Sequence, residues 1–253
     1  MIASLAPLPH PAWVRDALGP VTGRGVRVAV IDSGWDVGLR VEGLRVEPGA
    51  SFVGTTECSA SPEDVQDRLG HGTSCATTVH RIAPDALLCP VRIFGATLET
   101  SIPEVRRAIL WAVERGFDVV NLSLGTALPE AVVPLYAACE AALRAGTVVV
   151  AASSGAEGCY PAAFDNVLSV GAGPYTDPFR FVYREDDAVE CLAARGIEGR
   201  VVSLGGEARV ADGPSFAAPN VAGIAALIRE RFPGSPLSRV RELLAGLSTS
   251  PPP

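Results

Sequence analysis

The chain contains no lysine: its 21 Lys and Arg positions are all arginine, set against 28 Asp and Glu, for a net charge of −7 at pH 7 with histidine neutral. A surface of that sign attracts neither nucleic acid nor an anionic membrane, so neither is expected as a partner. Aromatic residues make up 6% of the 253 positions and methionine occurs once, so the 48% hydrophobic content rests on Val, Ala, Leu and Ile. Aliphatics in that proportion suit a parallel sheet buried on both faces. There is no apolar run of membrane-spanning length. The first thirty residues, with Pro7, Pro9, Pro11, Arg15 and Asp16, lack the basic-then-apolar pattern of a secretion signal. A cytoplasmic location is the expectation.

The cysteines at 58, 75, 89, 139, 159 and 191 have no C-x-x-C spacing. Free thiols in a reducing compartment are expected, with no metal held by His and Cys. The acidic stretch Arg184-Glu185-Asp186-Asp187 lacks calcium-loop spacing and reads as a solvated charged loop, so no cofactor is expected; a structural calcium has no motif to support it. His10 and His80 lack any special context and read as surface residues.

Periodicity organises the rest. Val26 to Ile31 is a short apolar run ending at Asp32, and Ala86 to Ile93 is another, with Pro90 awkward inside it. Pro103-Glu104 opens a helix carrying Val105, Ala108, Ile109, Ala112 and Val113, closed by Gly116; a strand Val119 to Leu124 follows. Ala131 to Ala145 is a second helix, then strands Thr147 to Ala152 and Val167 to Val170. Pro214 heads a small-residue helix to about Arg231, and Ser235-Pro236 begins a last one. Strands alternating with such helices predict an α/β fold of three layers: a mostly parallel twisted sheet with helices on both faces. One domain over 1–253 is expected, with 1–20 as an N-terminal extension and 248–253 as a flexible tail. Asp32 lies 31 residues from Met1, and no propeptide domain is expected.

Three short motifs carry chemistry. Ala29-Val30-Ile31-Asp32-Ser33-Gly34 is an apolar strand ending in a carboxylate, Gly70-His71-Gly72-Thr73 holds an imidazole between glycines, and Gly213-Pro214-Ser215-Phe216-Ala217-Ala218-Pro219 places a hydroxyl at a turn into a helix. A serine hydroxyl is too weak an acid to attack an amide unaided; an imidazole to take its proton and a carboxylate to orient the imidazole supply the rest. Ser123-Leu124-Gly125 and Ala152-Ser153-Ser154-Gly155 fall at the ends of two predicted strands, where ligands bind in such sheets.

In this order, and with the framework segments Ile82-Ala83-Pro84-Asp85-Ala86, Val119-Val120-Asn121-Leu122-Ser123-Leu124-Gly125, Val148-Val149-Val150-Ala151-Ala152 and Leu168-Ser169-Val170-Gly171-Ala172, the chain resembles the subtilisin-like serine proteases. The match runs from roughly residue 20 to 230 and weakens between Gly173 and Gly205. The resemblance implies a triad of Asp32, His71 and Ser215, with Ser123 to Gly125 and Ala152 to Gly155 as walls for a peptide or protein substrate. Some members carry a free cysteine where Cys75 stands, four residues after His71; it reads either as an oxidant-sensitive site or as a packed small residue.

The chain departs from the family at the oxyanion hole. Where members show Ala-Ala-Gly-Asn-Glu-Gly, this one has Ser153-Ser154-Gly155-Ala156-Glu157-Gly158, and where they show Gly-Thr-Ser it has Gly213-Pro214-Ser215. Ala156 and Pro214 therefore bring no side-chain donor, leaving the Ser215 backbone amide, a hydroxyl of Ser153 or Ser154, or, with a shifted register, Asn166. Two functions stay open. One is a slow or substrate-selective serine endopeptidase that cleaves or transfers an acyl group on a peptide, such as a peptide-maturation protease. The other is an impaired relative that binds a peptide or protein partner without hydrolysis. The oligomeric state is not legible.

Overall fold

Val28 and Val30 of one strand pack to one side of a sheet and Ala29 and Ile31 to the other, all fully buried, which is the pattern of a strand covered by helices on both faces. The computed structural model describes residues 5–155, 158–196 and 212–248. In chain order these form α1 (Ala12–Leu18), β1 (Arg27–Asp32), β2 (Arg45–Val46), β3 (Ala50–Ser51), α2 (Pro62–Val65), α3 (His71–Ile82), β4 (Leu87–Arg92) and α4 (Ile102–Glu114). Then follow β5 (Val119–Leu122), α5 (Val132–Ala145), β6 (Val148–Ala152), β7 (Leu168–Gly173), β8 (Phe181–Tyr183), β9 (Cys191–Ala194), α6 (Pro214–Arg231) and α7 (Leu237–Leu247).

The strands join in the order β2-β4-β1-β5-β6-β7-β9-β8, with β3 also on β4. Every pairing is parallel except β8 with β9. Side chains of α1, α3, α6 and α7 pack with one face and those of α4 and α5 with the other, so the expected three layers are present. Helix boundaries follow local chemistry. Ser101 and Glu104 form a reciprocal capping box at the start of α4, and Gly146 ends α5 in the left-handed region at φ 79°.

Pro90 is accommodated rather than disruptive. Leu87 N–H bonds Val26 O and Ile93 N–H bonds Asp32 O, so the odd-numbered amides of β4 face β1 and position 90 faces the other side. There β2 pairs with Leu87 and Leu88, and β3 with Val91 and Arg92, leaving Pro90 in the gap between them, where no donor is required.

Two readings need correction or completion. His80 is a fully buried residue of α3, not a surface one, because that face of the helix turns into the molecule; burial lowers its pKa. The stretch after Gly173, which has no sequence landmarks, forms the β8–β9 hairpin, whose turn is the acidic segment with Arg184 paired to Asp187 at 2.9 Å. Ser248 is tied down by accepting the Tyr183 amide at 2.9 Å, while the rest of the predicted tail lies outside the described residues.

Candidate active site

Asp32 is the last residue of β1, at the carboxyl edge of the sheet between β4 and β5, and is wholly buried. Its carboxylate receives the Ser33 amide at 2.7 Å, and both its oxygens lie beside His71 Nδ1, at 2.8 and 2.9 Å. His71 is the first residue of α3. The helix can start there because Gly72 has no Cβ: one would fall 2.5 Å from Gly34 O and 2.9 Å from Gly34 N. The two motifs thus touch backbone to backbone, and the Gly72 amide completes the contact on Ser33 Oγ at 2.8 Å.

Sequence reasoning missed the group that shapes this turn. Asp67, fully buried, accepts the amides of Leu69 and Gly70 on one oxygen, at 2.9 and 2.8 Å. Its other oxygen accepts the Thr73 amide at 2.9 Å and the Thr73 hydroxyl at 2.6 Å. The available signal was an aspartate three residues ahead of a glycine, the usual composition of a side-chain-closed turn.

Ser215 stands second in α6, directly after Pro214, and lines a cavity of about 350 Å³ together with His71 and the expected wall residues Ser123, Leu124 and Gly125. The Phe216 ring lies 5.0 Å from the imidazole of His71. Among the described contacts no hydrogen bond joins Ser215 Oγ to His71; the two share the cavity wall. Away from them the cavity is lined by apolar side chains, among them Phe94, Ile102, Val105 and Leu135, and by Glu99, Thr100, Ser101 and Thr126.

Cys75 sits behind this row, fully buried. Its Sγ is 3.4 Å from Ser123 Oγ, 3.6 Å from Ser215 O, 3.8 Å from Asp32 Oδ2 and 3.9 Å from His71 Nδ1. Pro219, inside α6, has no N–H to offer the Ser215 carbonyl four residues earlier, and the thiol approaches that freed oxygen. Asp32, His71 and Cys75 present potential metal-ligand atoms within 4.8 Å of one another, yet Nδ1 of His71 already faces the carboxylate.

Burial opposes protonation of His71, but the adjacent Asp32 carboxylate outweighs it, so the imidazole titrates well above its ordinary value. Burial likewise pushes the Cys75 thiol up.

Of the expected oxyanion groups, Ser153 is buried, with its hydroxyl receiving the Gly155 amide at 3.2 Å, and Ser154 is exposed. Ala156 and Glu157 lie outside the described residues. Asn166 is not a candidate: its amide faces α5, 3.5 Å from Tyr136 O and 3.4 Å from Glu140 Oε2. The Ser215 amide lies in the first turn of α6, where helix geometry supplies no internal acceptor.

A doubly covered parallel sheet with an Asp–His pair at its carboxyl edge and a serine opening the helix beside it defines the architecture of a subtilisin-like α/β protein. The chain belongs to the subtilase family: residues 23–248 match the model of that family. Subtilisin Savinase from Lederbergia lenta is 34% identical over 242 residues, covering 91% of this chain and 86% of that one. The alkaline protease of Alkalihalobacillus alcalophilus is likewise 34% identical over 242 residues, but the match spans only 60% of its length. Among solved structures, a cold-adapted subtilisin-like serine proteinase superposes with a TM-score of 0.73 at 24% identity, over 96% of this chain and 88% of its own. A lanthipeptide protease superposes with a TM-score of 0.68 at 22% identity, over 92% and 85%.

Proposed function

We propose that this chain is a serine endopeptidase of narrow substrate range, acting on a dedicated peptide through Asp32, His71 and Ser215. The observation that carries the proposal is His71 Nδ1 held between both oxygens of Asp32, with Ser215 on the wall of the same cavity. Asp32 fixes the tautomer with its proton on Nδ1, leaving Nε2 to take the Ser215 proton as Oγ bonds the scissile carbonyl carbon. The C–N bond then breaks as the imidazolium returns that proton to the leaving amine. Water, or another amine in acyl transfer, releases the acyl group by the same steps in reverse.

Slowness follows from the oxyanion hole that the sequence suggests, in which Ala156 and Pro214 bring no side-chain donor. The Ser215 amide is one donor, at the positive end of α6. Loss of one side-chain donor costs about 10²–10³ in rate, a magnitude that comes from subtilisin itself, and leaves much of the catalytic power in place. A slow enzyme that relies on extended binding suits one peptide better than proteins at large, and maturation of a peptide product is the role that fits. One solved structure of the same fold is a lanthipeptide protease. The six free thiols fit a cytoplasmic setting.

A fluorophosphonate probe tests the proposal. A covalent adduct on Ser215, abolished by Ser215→Ala, is expected. No adduct at millimolar probe overturns it in favour of the second reading, a peptide-binding module, which the loss of donors at Ala156 and Pro214 favours. Ala156→Asn is expected to raise kcat by about tenfold or more.

A further inference from the structure

We infer that Glu104 is a positioning residue for peptide binding: its buried carboxylate ties the flank of the catalytic cavity to the turn after β3, and so gives longer peptides their affinity. The inference deepens the proposed proteolysis of a peptide and rests on it. The flank in question is the run 98–102, whose residues line the same cavity as His71 and Ser215.

Little in the backbone holds that flank. Residues 96–99 are exposed, and among the described residues no backbone–backbone hydrogen bond involves positions 95–100. A segment with so few bonds opens at small cost unless side chains secure it. Two buried charges do so, one at each end. At the start, Arg92 of β4 donates to Phe94 O at 3.1 Å and to Asp64 O at 3.0 Å. At the end, one oxygen of Glu104 accepts the Ser101 amide at 2.6 Å and the Thr100 hydroxyl at 2.9 Å, and its other oxygen accepts the Gly54 amide.

The bond to Gly54 takes Glu104 beyond capping its own helix, which needs only Ser101. Gly54 belongs to a turn in which the Thr55 amide bonds Phe52 O at 3.2 Å, and the Phe52 amide bonds Arg92 O at 2.8 Å. Arg92 is in turn the register partner of Asp32. Flank, turn and catalytic carboxylate are thus linked through β4. Burial opposes ionisation of Glu104, but the donors from Ser101, Thr100 and Gly54 outweigh it and lower its pKa, so the carboxylate stays charged at neutral pH. An extended peptide advances about 3.3 Å per residue. One residue before the scissile bond stays beside Ser215, whereas four run along the cavity and meet the flank.

Two p-nitrophenyl esters test this, those of acetyl-Ala and acetyl-Leu-Ala-Ala-Ala, alike at the reacting bond and different in length. With Glu104 present, the longer ester is expected to be favoured about tenfold or more in kcat/KM. Glu104→Ala is expected to remove most of that ratio by raising KM for the longer ester, with kcat and the shorter ester changed by less than about twofold. Glu104→Gln keeps an oxygen for Ser101 and Thr100 but turns an NH₂ toward the Gly54 amide, and is expected to lose an intermediate part. It carries the test if a thermal melt shows Glu104→Ala unfolded. A merely structural role would lower both esters together. In parallel, Ser215→Ala protein is titrated calorimetrically with acetyl-Leu-Ala-Ala-Ala, and Glu104→Ala is expected to weaken binding about tenfold. Esters used equally with Glu104 present, an equal fall for both, a ratio unchanged in the folded variants, or no binding of the peptide to protein retaining Glu104 overturns the inference. Absence of turnover with the shift in binding intact overturns the proteolytic reading and leaves the role of Glu104 standing.

Discussion

Asp67 and Thr73 are joined twice, the carboxylate receiving both the amide and the hydroxyl of the threonine, and the imidazole of His71 projects from the loop that this pair closes. The carboxylate is buried and meets four donors, so an amide in its place turns an NH₂ toward N–H groups that need an acceptor. Asp67→Asn is expected to cost about 1–3 kcal/mol of stability. It is also expected to lower kcat more than it raises KM, because the helix that carries His71 loses its anchor. Thermal unfolding and steady-state kinetics check both, and an unchanged midpoint would remove Asp67 from the account.

His71 must be neutral to act as a base, and Asp32 holds its pKa above the ordinary value. The acid limb of kcat/KM is therefore expected above about pH 6.5, the value for a free imidazole. Asp32→Asn is expected to move the limb down and to cut kcat by about 10⁴. Linkage gives the matching stability effect. A pKa raised on folding stabilises the protein below the unfolded value near 6.5, and the contribution disappears as pH rises through the folded pKa. The stability advantage over His71→Gln should shrink toward alkaline pH, and an advantage that grows there would contradict the pairing.

Thiol reactivity should divide by burial. Burial pushes the thiols of Cys89 and Cys139 up to about 12, and those of Cys75 and Cys191 also up. A thiol reagent added to folded protein is expected to titrate Cys58, which is exposed, and Cys159, which is half-buried, with the other four reacting only on unfolding. Rapid modification of Cys75 in folded protein would mean that the space behind the Asp–His pair opens.

Gly223 is where α6 crosses α3. A Cβ there would stand 2.8 Å from Ile82 Cβ and 2.9 Å from Ile82 Cγ2. Gly223→Ala is expected to cost about 1–3 kcal/mol by overpacking. Because α3 carries His71 and α6 carries Ser215, activity should fall along with stability. Circular dichroism melts and probe labelling of Ser215 distinguish this from a change in stability alone.

Much of this was readable in the chain. The strands that pass through the middle of the sheet are mostly apolar runs, since both faces are covered, and the helices between them announce their ends with Pro103, Gly116 and Gly146. The edge was harder. β2 and β3 have two residues each, and β8 and β9 three and four, too short for a period to register. His80 went astray because it stands in no recognisable motif, and only the fold shows that its face of α3 is buried.

The order of Asp32, His71 and Ser215 and the short glycine-bearing motifs around them are properties of the linear chain, since each depends on residues a few positions apart. The Asp32–His71 pair at one sheet edge, Ser215 on the wall of the same cavity and the thiol of Cys75 behind them were decided only by tertiary structure. Those contacts join residues dozens of positions apart or sit on elements with no period of their own, and nothing local in the chain encodes a distance across a folded sheet.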